Sequence, residues 1–189
     1  MALTYATWNP SDKNANITLS GWDLTVSNSF VNHVAVRSTI WKSTWKWYWE
    51  INVISNAWTI LIWVGNSSMS IANGSYVGSD INWWGYHMIA QKYTNASPTA
   101  YGATYTNSDI IGVALDMDWW TITMYKNNTS QWTMYSSLTG TLFPSISLFW
   151  VSSLSANFWA STMTYTAPSG YNQWLYNWSL SNSSFLAFM

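Results

Sequence analysis

The chain has 189 residues, only 7% of them charged, and six Lys+Arg against seven Asp+Glu leave a formal net charge of −1. That length suits one domain with a full core, and the charge balance leaves no basic stripe for nucleic acid or an anionic membrane surface. With no cysteine, disulfides, thiolate metal sites and a cysteine nucleophile are excluded.

From the N-terminus, "MALTYATWNPSDK" lacks a basic region followed by a long apolar run, so no secretory signal is expected. "KWYWEINV" sets Trp47, Trp49, Ile51 and Val53 on one face and Tyr48, Glu50 and Asn52 on the other, the alternation of a half-buried strand. "TILIWV" repeats it with Ile60, Ile62 and Val64. This apolar stretch is far shorter than the roughly 20 residues that span a bilayer, so no membrane insertion is expected; the compartment stays open. Residues 66–108 are long, polar and weakly periodic, and are expected to be binding loop rather than idle connection. "IIGVALDMD" aligns Ile111, Val113, Leu115 and Met117; "TITMY" aligns Ile122 and Met124; "SISLF" aligns Ile146 and Leu148. Asn127 and Asn128 mark a turn. After Pro168 the pattern fades, so residues 1–176 are expected to form one sandwich domain and 177–189 a tail or terminal strand. Period-two alternation with no helical period predicts an all-β fold, two antiparallel sheets packed face to face.

Several blocks together resemble the SPRY domain family: "WKWYWEI" (45–51), "VGSDINWWGYHM" (77–88), "SDIIGVALDMD" (108–118), "TITMYKNN" (121–128) and "GTLFPSISLF" (140–149), closed by "ANFWAS" and "TAPSGYNQWL". The resemblance covers roughly residues 5–175, and "TWNPSDKNANITLS" is similar to the start of SPRY modules in bacterial and phage proteins. It implies a bent β-sandwich of concanavalin-like, jelly-roll topology (the B30.2/SPRY type). It also implies a non-catalytic module that recognises a protein, peptide or glycan through loops at one end.

The departures from that family are mostly Trp where the family carries Gly or another small turn residue: Trp22, Trp41, Trp45, Trp58, Trp63, Trp83, Trp119, Trp120, Trp132, Trp150, Trp159, Trp174 and Trp178. Trp8, Trp47, Trp49 and Trp84 fall where the family carries an aromatic. Glycine serves where φ is positive or backbones approach closely, and Trp does neither. The expected cause is a reassigned codon, such as UGA, that means glycine in the source and is rendered as Trp; 9 Gly plus these 13 would give 22. The competing reading is a surface rich in genuine Trp that stacks on sugars, which would gather its rings on one face rather than in nearly every turn.

For catalysis, Asp116 and Asp118 lie two apart on one strand, the paired carboxylates a glycosidase would need, yet a solvated strand edge explains them equally and the family carries acids there for structural reasons. Glu50 is expected to be a structural partner of a buried polar group. A glycan-active enzyme is therefore disfavoured. His33 and His87 lack metal-ligand spacing, no nucleotide or nucleophile-elbow motif occurs, and no metal or cofactor is expected. For binding, the candidates are Arg37, Asp80, Trp84, Tyr86, His87, Tyr93 and Tyr101. Trp84 is also expected to plug the sandwich end, Tyr86 and Tyr101 to alternate into the sheets, and Arg37 to serve folding. A structural domain of a phage tail or cell-surface particle is the alternative function.

Overall fold

The computed structural model describes residues 2–56, 59–72, 81–159, 161–173 and 175–179. Its elements are β1 (Ala2–Tyr5), β2 (Trp8–Lys13), β3 (Ile17–Ser20), β4 (Thr25–Asn28), β5 (Val34–Ser38), β6 (Lys46–Asn56), β7 (Thr59–Gly65), β8 (Trp83–His87), β9 (Gln91–Thr94), β10 (Ser97–Ala100), β11 (Ile110–Asp116), β12 (Thr121–Lys126), β13 (Thr129–Tyr135), β14 (Phe143–Phe149), β15 (Ser152–Asn157), β16 (Asn172–Gln173) and β17 (Tyr176–Ser179). A seven-stranded antiparallel sheet runs β10-β9-β8-β7-β14-β5-β2, and an eight-stranded sheet runs β13-β12-β11-β6-β15-β4-β3 with β16 parallel to β6. β1 and β17 form a separate antiparallel ribbon. The described chain is an all-β, two-sheet sandwich.

Alternation explains the core. β6 pairs with β11 so that Trp47 faces Leu115, Trp49 faces Val113 and Ile51 faces Ile111. These residues join Ile60, Ile62, Val64, Ile122, Met124, Ile146 and Leu148 in one buried cluster between the sheets. The inward faces are those the period-two pattern marks. Between β12 and β13, Asn127 and Asn128 have φ of 46° and 67°, which fits the two-residue hairpin turns that need positive φ at both central positions.

The segment 66–108, expected to be loop, contains β8, β9 and β10. β6, expected to be half-buried, is buried on its outer face too at Tyr48 and Glu50, but its two faces still differ in chemistry; β8 and β10 lack that difference. All five residues of β8 are buried and all four of β10 are exposed, and neither strand shows apolar-polar alternation.

Each sheet also has an outer cover. Over the first, Met69 and Ile71 pack on Ala35, Leu61, Trp63, Trp83 and Tyr93. Over the second, Met163, Ala167 and Tyr171 pack around Tyr48, Ala114 and Tyr125. There Gly112 leaves room for a ring, because a Cβ on it would lie 2.4 Å from the Tyr48 hydroxyl. Gly112→Ala is expected to destabilise the fold by about 1–3 kcal/mol through overpacking, read as a lower urea midpoint; an unchanged midpoint would mean that the Tyr48 ring does not pack over Gly112.

Candidate functional site

The sequence-nominated residues do not converge on one surface. Trp84 and Tyr86 point into the main core, with Tyr101 at its margin. Tyr86, Tyr101 and Tyr105 stack edge to face, with ring centroids 5.2 and 4.9 Å apart. Their hydroxyls stitch the chain together. Tyr86 donates to the Ala103 carbonyl, Tyr101 donates to Trp132 O at 2.7 Å, and the Tyr105 hydroxyl lies 3.0 Å from Ile60 O and 2.9 Å from Tyr86 O. Burial pushes the Tyr86 hydroxyl up to about 12 and also raises those of Tyr101 and Tyr105. Tyr86 and Tyr105 hold the connection between β10 and β11 against the first sheet, and Tyr101 ties its start to β12 and β13 of the second.

His87 and Tyr93 lie on the outer face of that sheet, ring centroids 5.4 Å apart and both buried. The Tyr93 hydroxyl donates to Gln91 Oε1 at 2.7 Å, and His87 Nδ1 accepts from the Ile89 amide at 3.2 Å. Arg37 pairs with both oxygens of Asp12, at 2.6 and 2.8 Å. Its Nη1 lies 3.1, 3.0 and 3.3 Å from the carbonyls of Asn66, Ser67 and Met69. It therefore ties down the cover of the first sheet. Asp80 lies outside the described residues.

The paired carboxylates are occupied as well. Asp116 is buried and bridges to Lys46 at 2.9 Å, and its Oδ1 accepts the amides of Asp118 and Trp119 at 3.0 Å each. Asp118 Oδ1 accepts the Trp45 amide at 3.1 Å. Both serve the turn between β11 and β12. Among the described residues, no group of three or more His, Asp or Glu could hold a metal ion.

What remains presented is one end of the sandwich. There the connections 39–45 and 136–142 cross between the sheets, beside the turn 117–120. Backbone bonds interlock all three, from Met117 N to Trp45 O (2.9 Å), Leu138 N to Trp120 O (3.0 Å) and Lys42 N to Leu142 O (2.8 Å). An open cleft of about 500 Å³ lies between the turn and Ser136, Ser137, Leu138, Thr139 and Gly140. Beside it, a hollow of about 130 Å³ contains Lys42. Its ammonium lies 3.6 Å over the Trp47 ring and donates to the Tyr176 carbonyl and to Asn177 Oδ1. Burial lowers the Lys42 pKa to about 8. Sequence reasoning passed over residues 136–140, whose only signal is a short run of small polar residues between two strands.

The SPRY domain family profile matches residues 46–161, more than half of the chain. The SPRY domain of human HERC1 superposes with a TM-score of 0.70 at 13% identity, covering 79% of this chain and 96% of that one. The TRIM65 PSpry domain gives 0.67 at 17% identity, covering 82% and 90%. Stonustoxin also gives 0.67 at 17% identity, over 82% of this chain but 27% of its own. At these identities the likeness speaks for the fold.

The buried His87 carries a pH signature. Desolvation, then the charge of His33, lowers its pKa to about 4, below the unfolded value of about 6.5. The unfolded state thus binds the proton first. Stability is fully present above about pH 6.5 and falls as pH drops towards 4. His87→Gln is expected to flatten the fall in urea midpoint across that window; the same slope in both proteins would place the charge change elsewhere.

Proposed function

We propose a binding function for this chain, which belongs to the SPRY domain family: a non-catalytic module that takes up a protein or peptide segment, or a glycan, through the end loops 39–45, 117–120 and 136–142. One observation carries the reading. The open cleft of about 500 Å³ is lined by Trp119 and Trp120 of the turn and, opposite them, by Ser136, Ser137, Leu138, Thr139 and Gly140; the bond from Leu138 N to the carbonyl of residue 120 is a backbone bond that holds the loops together whichever side chain position 120 carries, so a rigid scaffold presents a concave, uncharged surface. SPRY domains typically act as protein-interaction modules, which favours a polypeptide ligand. The likeness of residues 7–20 to bacterial and phage SPRY modules supports placing the chain in that branch.

Glycan arrays and a random-peptide library are the direct probe. A ligand held by the wild type is expected to be retained by Tyr93→Phe and weakened more than tenfold by Ser136→Arg with Thr139→Arg, which put two charges on exposed positions of the cleft wall. Binding that ignores the two arginines would contradict this reading.

We also propose that tryptophans at left-handed backbone positions stand for glycine in the natural protein. Trp22, Trp45, Trp120, Trp132 and Trp150 have φ between 55° and 68°. At about 1–2 kcal/mol each, this strain totals on the order of 5–10 kcal/mol, comparable to a whole domain's stability of roughly 5–15 kcal/mol. Trp8, Trp47, Trp49 and Trp84 are all buried, and none has positive φ. The other positions divide. Trp119 is 74% exposed and Trp41 46%, whereas Trp159 stacks on Tyr5 and donates to Ala6 O at 2.8 Å, as an indole with a role would. Trp63 and Trp83 are buried against each other, yet Trp63 Nε1 has no hydrogen-bond partner. Trp58 and Trp174, and the Trp178 side chain, lie outside the described residues. Mass spectrometry of the protein from its natural source decides the matter. The tryptic peptide 43–46 is expected to carry the mass of glycine at position 45, while the peptide beginning at Trp47 keeps Trp47 and Trp49; a tryptophan mass at position 45 would overturn the proposal.

A further inference from the structure

Glu50 is a charge without a counter-charge. It lies at the centre of the second sheet's outer face and is 2% exposed. Its oxygens accept the Thr164 and Tyr165 amides, each at 2.8 Å, and the Tyr48 hydroxyl at 3.4 Å. The two other buried acids have lysines: Asp116 pairs with Lys46 and Asp109 with Lys126. All six Lys and Arg residues lie in described segments, and the rest are engaged elsewhere: Lys13 with Ile17 O, Arg37 with Asp12, Lys42 with Tyr176 and Asn177, and Lys92 with Met134 O. A buried carboxylate is costly unless it is paired, so Glu50 offers a place for a cation from outside.

The place is open. A cleft of about 160 Å³ runs between the sheet and residues 157–159 and 161–165, lined by Glu50, Asn52, Ile110, Asn157, Ser161 and Thr164 among others. We propose that this cleft binds the side chain of a lysine on a partner polypeptide, with the ammonium at Glu50 and the methylenes along Ile110. The chemistry selects lysine. A carboxylate has about four acceptor sites, and three donors already sit here, so a single-point ammonium fits where the two-pronged guanidinium of arginine would not. Calcium takes six to eight oxygens and favours several carboxylates; this cleft holds one. The side-chain carbonyl oxygens of Asn52 and Asn157 and the hydroxyls of Ser155, Ser161 and Thr164 in the lining are neutral acceptors for the remaining ammonium protons. The site lies on a sheet face, apart from the end loops, and stands independently of the function proposed for them.

The test is an NMR titration of the full chain with Nα-acetyl-lysine methylamide and with its Nε-acetylated form. The first is expected to shift the Thr164 and Tyr165 amides saturably in the millimolar range, and the second to leave them in place. Asn52→Lys puts an ammonium on the same strand face two residues from Glu50 and is expected to fill the cleft and abolish the response. Glu50→Gln should abolish it too, and the Asn52 variant keeps the test decisive if Glu50→Gln does not fold. No shift with the lysine probe, equal shifts with both probes, or an undiminished response in Asn52→Lys would each overturn the proposal.

Discussion

Everything in this fold depends on the packing of two sheets through one shared apolar layer, with β6 at the middle of one and β7 near the middle of the other. Trp47, Trp49, Ile51 and Val53 meet Ile60, Ile62, Val64, Trp84 and Tyr86 across it. Because β6 leads directly into β7, the layer also decides which connections cross between sheets and which remain as surface. Each sheet is then left with an outer face to cover. A single charged side chain secures each cover, by opposite means. Arg37 gathers carbonyls from 66–69, while Glu50 gathers the amides of 164 and 165. Arg37 has Asp12 as its counter-ion; Glu50 has none.

The aromatic residues follow from the same layer. Tyrosine is useful at a core margin because its ring packs while its hydroxyl reaches a backbone carbonyl, and Tyr86, Tyr101 and Tyr105 all do this. The 101–108 connection is thereby fastened to the sandwich. The 136–142 connection is tied mainly through Leu138 and Leu142, and its Ser136, Ser137, Thr139 and Gly140 are exposed. Fastening one connection and exposing the other gives a stiff platform with an accessible end; for the binding function proposed above, such stiffness would lower the ordering cost.

Strands whose two faces differ in chemistry were legible in the sequence even where both faces are buried: Trp47 to Val53 and Ile111 to Met117 alternate large apolar side chains with Tyr48 and Glu50, or with Gly112, Ala114 and Asp116, as the registers require. β8 and β10 were not, because β8 carries a tryptophan on each face, Trp83 outward and Trp84 inward, and β10 is exposed and without large apolar side chains on either. Motif order identified the family where periodicity reached only a sandwich. The site was less legible. An aromatic letter does not say whether its ring faces a core or a ligand, and Tyr86, Tyr93, Tyr101, Trp84 and His87 all turned inward or under a cover. Arg37 was readable as a folding residue, though its partner Asp12, 25 positions away, was not. The cleft beside Thr139 is made by the meeting of two connections, and no short window of sequence contains both.

The central claim is that the sequence-nominated tyrosines are internal fasteners while the end loop is the presented surface. Amide hydrogen exchange measures this difference directly. Tyr105, whose amide bonds to Met88 O, and Ser108, whose amide bonds to Val53 O, are expected to exchange orders of magnitude more slowly than residues 139–141. Exchange in 101–108 as fast as in 139–141 would contradict the account.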